Sequence, residues 1–227
     1  MTYTIEESRP FDLLADLFAY PEEGFAHRVE QIAVALEETL PAVAAELTRF
    51  REFVRNAEQI EVEEVYTRSF DVQAITTIDI GYVLFGDDYK RGALLVNLNR
   101  EESEAGVDPG NELADHLPNV LRLLGRMEDM ALRQELVEKI VAPAVNKIIG
   151  EFTPEKVESK NNIYRKHYKT LIERSDNYSL IYQQPLKAVA VLLNTFFNLQ
   201  SGGEGEQIQR STADFLGTVG KEIAIEG

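Results

Sequence analysis

The chain has 227 residues, 44% hydrophobic and 27% charged, the proportions of a globular protein with enough length to bury a core, which argues against disorder and fibrous architectures. Its 39 acidic against 23 basic residues give a formal charge of −16, a field that repels nucleic-acid phosphates and anionic lipid headgroups and welcomes a basic partner. Cysteine is absent, which removes disulfides, thiol nucleophiles and thiolate metal sites and suits a reducing compartment.

The opening from Met1 to Pro10 carries Glu6 and Glu7 and lacks the basic start and apolar stretch of a secretory signal. No apolar run approaches the roughly 18 residues of a membrane span, so a cytoplasmic protein is expected. Leu13, Leu14, Leu17 and Phe18 share one helical face; after a break at Tyr20-Pro21, Phe25, Val29, Ile32, Ala33 and Leu36 give a second. A third helix begins around Pro41, a residue tolerated in a first turn, and runs through Val43, Leu47, Phe50 and Val54. Val62, Val65, Tyr66 and Phe70 mark a fourth.

From Asp71 to Asp87, β-branched residues crowd into Ile75-Thr76-Thr77-Ile78 and two glycines interrupt periodicity. A lone strand has no pairing partner in a helical chain, so this stretch reads as an extended loop or an irregular helical turn. Helical patterning resumes with Asp87 or Asp88 as N-cap and fades near Gly106; Asp108-Pro109-Gly110 is a turn. A helix is expected from Asp115 through Leu117, Val120, Leu121, Leu124 and Met127, with Asp115 as N-cap or first-turn acid and His116 exposed beside it.

Leu132, Leu136, Ile140, Ala144 and Ile148 form an i, i+4 row in which Pro143 predicts a kink. Thr153-Pro154-Glu155 restarts the chain, and Leu186 to Leu199 is apolar almost all round, as suits the centre of a bundle. Gly202, Gly203 and Gly205 mark a flexible break before a polar tail. The sum is an all-α, single-domain bundle of about nine or ten helices over residues 1–200, with a Gly-rich break and a tail, readable as a surface helix, at 201–227.

Chemistry has few footholds. His27, His116 and His167 are scattered, none in zinc-type spacing, and the Glu-x-x-His pairs of a di-iron bundle are missing. No glycine loop of phosphate-binding type and no nucleophile elbow is present. Glu61, Glu63 and Glu64 read as a solvated face near a helix N-terminus. Lys156, Lys160, Arg165, Lys166 and Lys169 read as a solvated surface or as a seat for an anion or an acidic partner. Asp115-His116 allows one enzymatic reading, a metal-dependent helical phosphohydrolase using His27 as well, although the order of the pair is the reverse of that used by such enzymes. No catalytic residue, metal or cofactor is therefore assigned, and a passive helical scaffold is the other alternative.

Three ordered blocks carry a resemblance. They are Glu64-Val65-Tyr66-Thr67-Arg68-Ser69-Phe70-Asp71, then Leu84-Phe85-Gly86-Asp87-Asp88-Tyr89-Lys90-Arg91-Gly92-Ala93-Leu94-Leu95, and Asn111-Glu112-Leu113-Ala114-Asp115-His116-Leu117-Pro118-Asn119-Val120-Leu121. With Leu13-Leu14 and Tyr20-Pro21, they resemble the TorD/NarJ family of redox-enzyme maturation chaperones over roughly half of the chain, closest to the nitrate-reductase assembly branch. Ala114 departs from the Pro or Glu usual there, and His116 is nearer the TorD branch.

The resemblance implies a non-enzymatic, all-helical chaperone. It would bind the N-terminal leader of a molybdopterin-containing oxidoreductase catalytic subunit, often a twin-arginine leader, until cofactor insertion is complete, and would act as a monomer or homodimer. It also implies a peptide groove lined by Tyr66, Phe70, Tyr82, Phe85, Tyr89, Leu117 and Pro118, with Asp115 and His116 facing a leader arginine. Tyr66 and Phe70 are equally readable as core, and Arg91 with Gly92 either binds or fixes the loop against the bundle.

Overall fold

Apolar residues at helical spacing organise the whole chain, and the computed structural model, which describes residues 5–168 and 180–199, is all-α. In chain order the helices are α1 (Ile5–Asp16), α2 (Phe25–Thr39), α3 (Pro41–Glu46), α4 (Thr48–Asn56), α5 (Gln59–Phe70), α6 (Ile80–Phe85), α7 (Tyr89–Ala105), α8 (Leu117–Leu124), α9 (Met130–Leu136), α10 (Ala142–Ile149), α11 (Pro154–Tyr168) and α12 (Gln183–Phe197). The single helix expected from Pro41 to Val54 is split at Leu47 into α3 and α4. The Gly-rich break and tail, Lys169, and the side chains of Arg165, Lys166 and His167 lie outside the described residues.

Two departures from the sequence reading matter for the site. Asp71 to Asp87 is not wholly irregular: Ile80–Phe85 forms α6, so Tyr82 and Phe85 sit on a helix and not on a loop. One antiparallel bridge, Asp79 with His116, is all the extended pairing among the described residues. Around Pro143 the disturbance takes the form of a π-helical segment, Val137–Val141, between α9 and α10. Proline has no N–H to offer Lys139 and its ring crowds that carbonyl, and a widened turn relieves both.

The bundle divides into two compact units. Among the described residues, the first comprises 5–15, 79–145 and 193–199; the second comprises 16–78, 146–168 and 180–192. In the first, α6 packs on α7 and on the π-helical segment, and α8 packs on α7. Its core includes Phe11, Leu94, Leu98, Leu117, Leu121, Ile140 and Leu193, all buried. Arg133, fully buried, lies with its guanidinium carbon 5.2 Å from the Phe11 ring centre and 5.1 Å from that of Phe197.

In the second unit α2 packs on α3 and α4, and Arg51 of α4 bonds to Glu30 and Glu37 of α2. Gly24, at φ +88°, supplies the left-handed residue that turns the chain into α2 after Tyr20-Pro21. Arg68, almost buried, donates to the Gln73 carbonyl at 2.7 Å and to Asn161 Oδ1 at 3.0 Å, which ties the loop after α5 to α11. Lys156 and Lys160 both pair with Glu151 at 2.8 Å, and Lys160 also donates to the Ile75 carbonyl. Lys156 is exposed, as the sequence reading of a solvated basic surface has it, whereas Lys160 is half-buried and braces the loop at Ile75. Burial raises the Glu151 carboxyl, but hydrogen bonds from both lysines outweigh it and hold the group below its usual range.

Candidate functional site

The densest polar arrangement lies in the first unit, where the segment entering α6 runs beside the segment entering α8. Ile80 N–H donates to the Asp115 carbonyl at 2.8 Å, and the adjoining Asp79–His116 bridge holds the two segments in register. Asp88 caps α7 by accepting from Lys90 N–H at 2.9 Å, and so places Arg91 in the first turn, pointing at this junction.

Arg91 grips the junction with a forked contact. Its Nε donates to Asp115 Oδ2 at 2.8 Å, and its Nη2 donates to Asp115 Oδ1 at 3.2 Å and to Asp79 Oδ2 at 3.3 Å. The other Asp79 oxygen lies 3.0 Å from His116 Nδ1. The side chain of Asp115 is fully buried, those of Arg91 and His116 are mostly so, and Asp79 is the acid nearest solvent, 29% exposed. The hydrogen bond to Asp115 raises the Arg91 value further, against the effect of burial, so the guanidinium stays charged.

A glycine makes the fit possible. A Cβ on Gly81 would lie 2.6 Å from Asp115 Oδ2, 3.1 Å from Leu94 Cδ2 and 3.3 Å from Arg91 Cγ. Gly92, by contrast, is exposed, and a Cβ there would meet nothing within 4 Å.

Of the residues expected in a groove, the structure places Tyr82 against this junction. Tyr82 is 43% exposed, with its ring centre 5.2 Å from the Arg91 guanidinium carbon, a cation–π distance. Tyr89 is 81% exposed and Phe85 is half-buried. Leu117 and Pro118 are buried, so they pack the core of the unit and present no surface. Asp115 is not the exposed cap anticipated: His116 holds the N-cap position of α8 without a side-chain cap bond, and Asp115 turns inward to Arg91.

Tyr66 and Phe70 belong to the second unit, in an aromatic cluster. Tyr66 contacts Tyr20, Phe70 and Tyr182 edge-on at 5.4–5.8 Å, and its hydroxyl donates to the Phe18 carbonyl at 3.1 Å. Phe70 also meets Phe152 and Tyr182 at 6.0 and 5.0 Å. Half-burial of both rings combines the packing and surface roles that the sequence left open. Tyr182 is fully buried, its hydroxyl has no hydrogen-bond partner, and burial, then Tyr66, raises its phenol well above the usual value.

Three positions at or near this junction had no role in the sequence reading: Asp79, Gly81 and Glu102. The last had a visible signal, since it continues the i, i+4 row Leu94, Leu98 and so places an acid on a buried face. Glu102 is 1% exposed and neither of its carboxyl oxygens has a hydrogen-bond partner.

Among the described residues no group of three or more His, Asp or Glu is arranged to hold a metal ion. Both oxygens of Asp115 accept hydrogen bonds from Arg91. No helix among the described residues is long and apolar enough to cross a membrane. No protein-family model matches the chain, and no curated protein matches it by sequence.

Proposed function

We propose that the protein is a maturation chaperone of TorD/NarJ type that binds the N-terminal segment of a molybdopterin-containing oxidoreductase catalytic subunit. One observation carries the reading: two of the blocks behind the family resemblance meet at Arg91 and Asp115, 24 residues apart, with the exposed ring of Tyr82 on the Arg91 guanidinium. A leader pairs basic residues with an apolar stretch. Exposed tyrosines offer large area at low entropy cost, and a net charge of −16 steers a basic peptide toward them.

The geometry refines which acid does what. Asp115 is buried and bound to Arg91, so it holds the platform, whereas Asp79 is the acid of the pair that is partly exposed. Its second oxygen rests on His116, which makes His116 a positioning residue for Asp79.

Calorimetry of the full chain with the leader peptides and full-length catalytic subunits of its host's molybdoenzymes tests the proposal. At least one should bind with one partner per chain, and Tyr82→Ala and Tyr89→Ala should each weaken it while leaving the melting temperature unchanged. If no leader and no subunit binds, the chaperone reading is refuted.

A further inference from the structure

Glu102 lies in the last turn of α7, where three features of its surroundings disfavour a negative charge. It is buried without a hydrogen-bond partner, so ionisation would leave a carboxylate unsolvated. It sits at the negative end of a helix dipole, and the last turn of α7 contains no basic residue to offset it. Its strongest charged neighbour is Asp115, itself an acid already bound to Arg91.

Of the elements packed on α7, α6 offers only Tyr82 and α8 only Arg122 as charged or titratable groups. The connecting segment offers Asp108, Glu112, Asp115 and His116. Among these, Asp115 is the one that acts on Glu102. The same residue anchors the helix end through its backbone: the Glu102 carbonyl accepts from Val107 N–H at 2.8 Å, closing a cap around Gly106 at φ +66°. The segment 107–116 that follows turns again at Gly110, at φ +64°, and delivers Asp115 and His116 to the junction.

We propose that Glu102 is a proton-operated latch: uncharged, it lets the end of α7 close over the core of the first unit, and on losing its proton it loosens the segment 107–116. A charge formed at Glu102 must reach water, and the glycine-flanked segment beside it is largely exposed from Asp108 to Leu113, so that stretch moves with little loss of packing. Burial, and after it Asp115, push the Glu102 carboxyl up to about 7, which puts the latch within the physiological range. The device acts whatever the protein binds.

Amide hydrogen exchange on the full chain, at pH 6 and pH 8 and corrected for intrinsic exchange rates, tests it. In the wild type the amides of residues 107–116 should lose about tenfold in protection across that interval, and in Glu102→Gln they should not. The same pH dependence in both proteins, or none in the wild type, would overturn the proposal. Carbon-13 NMR titration of the Glu102 carboxyl in the wild type gives a reading that does not depend on the variant folding: titration near 7 supports the latch, and titration near 4.5 overturns it.

Discussion

Gly81→Ala is the sharpest probe of the junction. Within a helix such a change ordinarily stabilises by about 0.5–1 kcal/mol, because alanine loses less backbone freedom than glycine. Here the new Cβ would stand 2.6 Å from Asp115 Oδ2, close to an ångström inside ordinary contact. The carboxylate has nowhere to go, since it is fully buried and held by Arg91 at 2.8 and 3.2 Å.

Overpacking costs about 1–3 kcal/mol, and displacing a charge-assisted hydrogen bond costs about 1.5–3 kcal/mol. Set against the propensity gain, a net loss of about 1.5–5.5 kcal/mol follows, and in a chain of this size the melting temperature should fall by about 3–20 °C. Gly92→Ala is the internal control: on the exposed side of α7, with open space around its Cβ, it should gain about 0.5–1 kcal/mol. Urea and thermal unfolding of both variants decide the matter, and the loss in Gly81→Ala should shrink by more than half in an Asp115→Ala background, where the clash is gone. A Gly81→Ala protein as stable as the wild type would show that the Asp115 carboxylate is not where the geometry puts it.

Asp115→Ala should destabilise by about 2–4 kcal/mol, since it strands a mostly buried guanidinium, and Asp79→Ala by less than about 1 kcal/mol; comparison of their urea midpoints checks the order. For Glu102 the sign is that of a raised carboxyl: the folded chain keeps a proton that the unfolded chain has released, so stability falls as pH rises from 4.5 to about 7 and then levels off. The wild-type curve minus that of Glu102→Gln should drop by up to about 3 kcal/mol over this window, and subtraction removes Glu151, whose depressed value acts in the opposite sense. Tyr182→Phe should be neutral or stabilising by up to about 1 kcal/mol, because its hydroxyl is buried without a partner; a clear fall in melting temperature would reveal one.

Much of the fold was legible because core burial follows helical spacing. Val29, Ile32, Ala33 and Leu36 of α2 are all buried, as are Leu136, Ile140, Ala144 and Ile148 along the row containing Pro143. What periodicity missed was short or non-local. α6 has only six residues, too few to display a period, and the run Ile75 to Ile78 before it carries β-branched residues because Ile75 and Ile78 are themselves buried. Asp115 looked like a helix cap because its partner Arg91 stands 24 residues away, and no local pattern announces an ion pair of that span.

Burial divides the site in a way that the aligned blocks do not. Leu117, Pro118 and Asp115 of the third block are enclosed, as is Gly81 just before the second, so these residue types are dictated by packing and by one ion pair. Any protein that builds this junction needs them, whatever it binds. On the proposed chaperone reading, selectivity then comes from the exposed rings of Tyr82 and Tyr89 and the partly exposed Asp79. Substitutions at the enclosed positions should therefore change stability first and binding only as a consequence. Substitutions at Tyr82, Tyr89 and Asp79 should change binding first, with at most a small loss of stability.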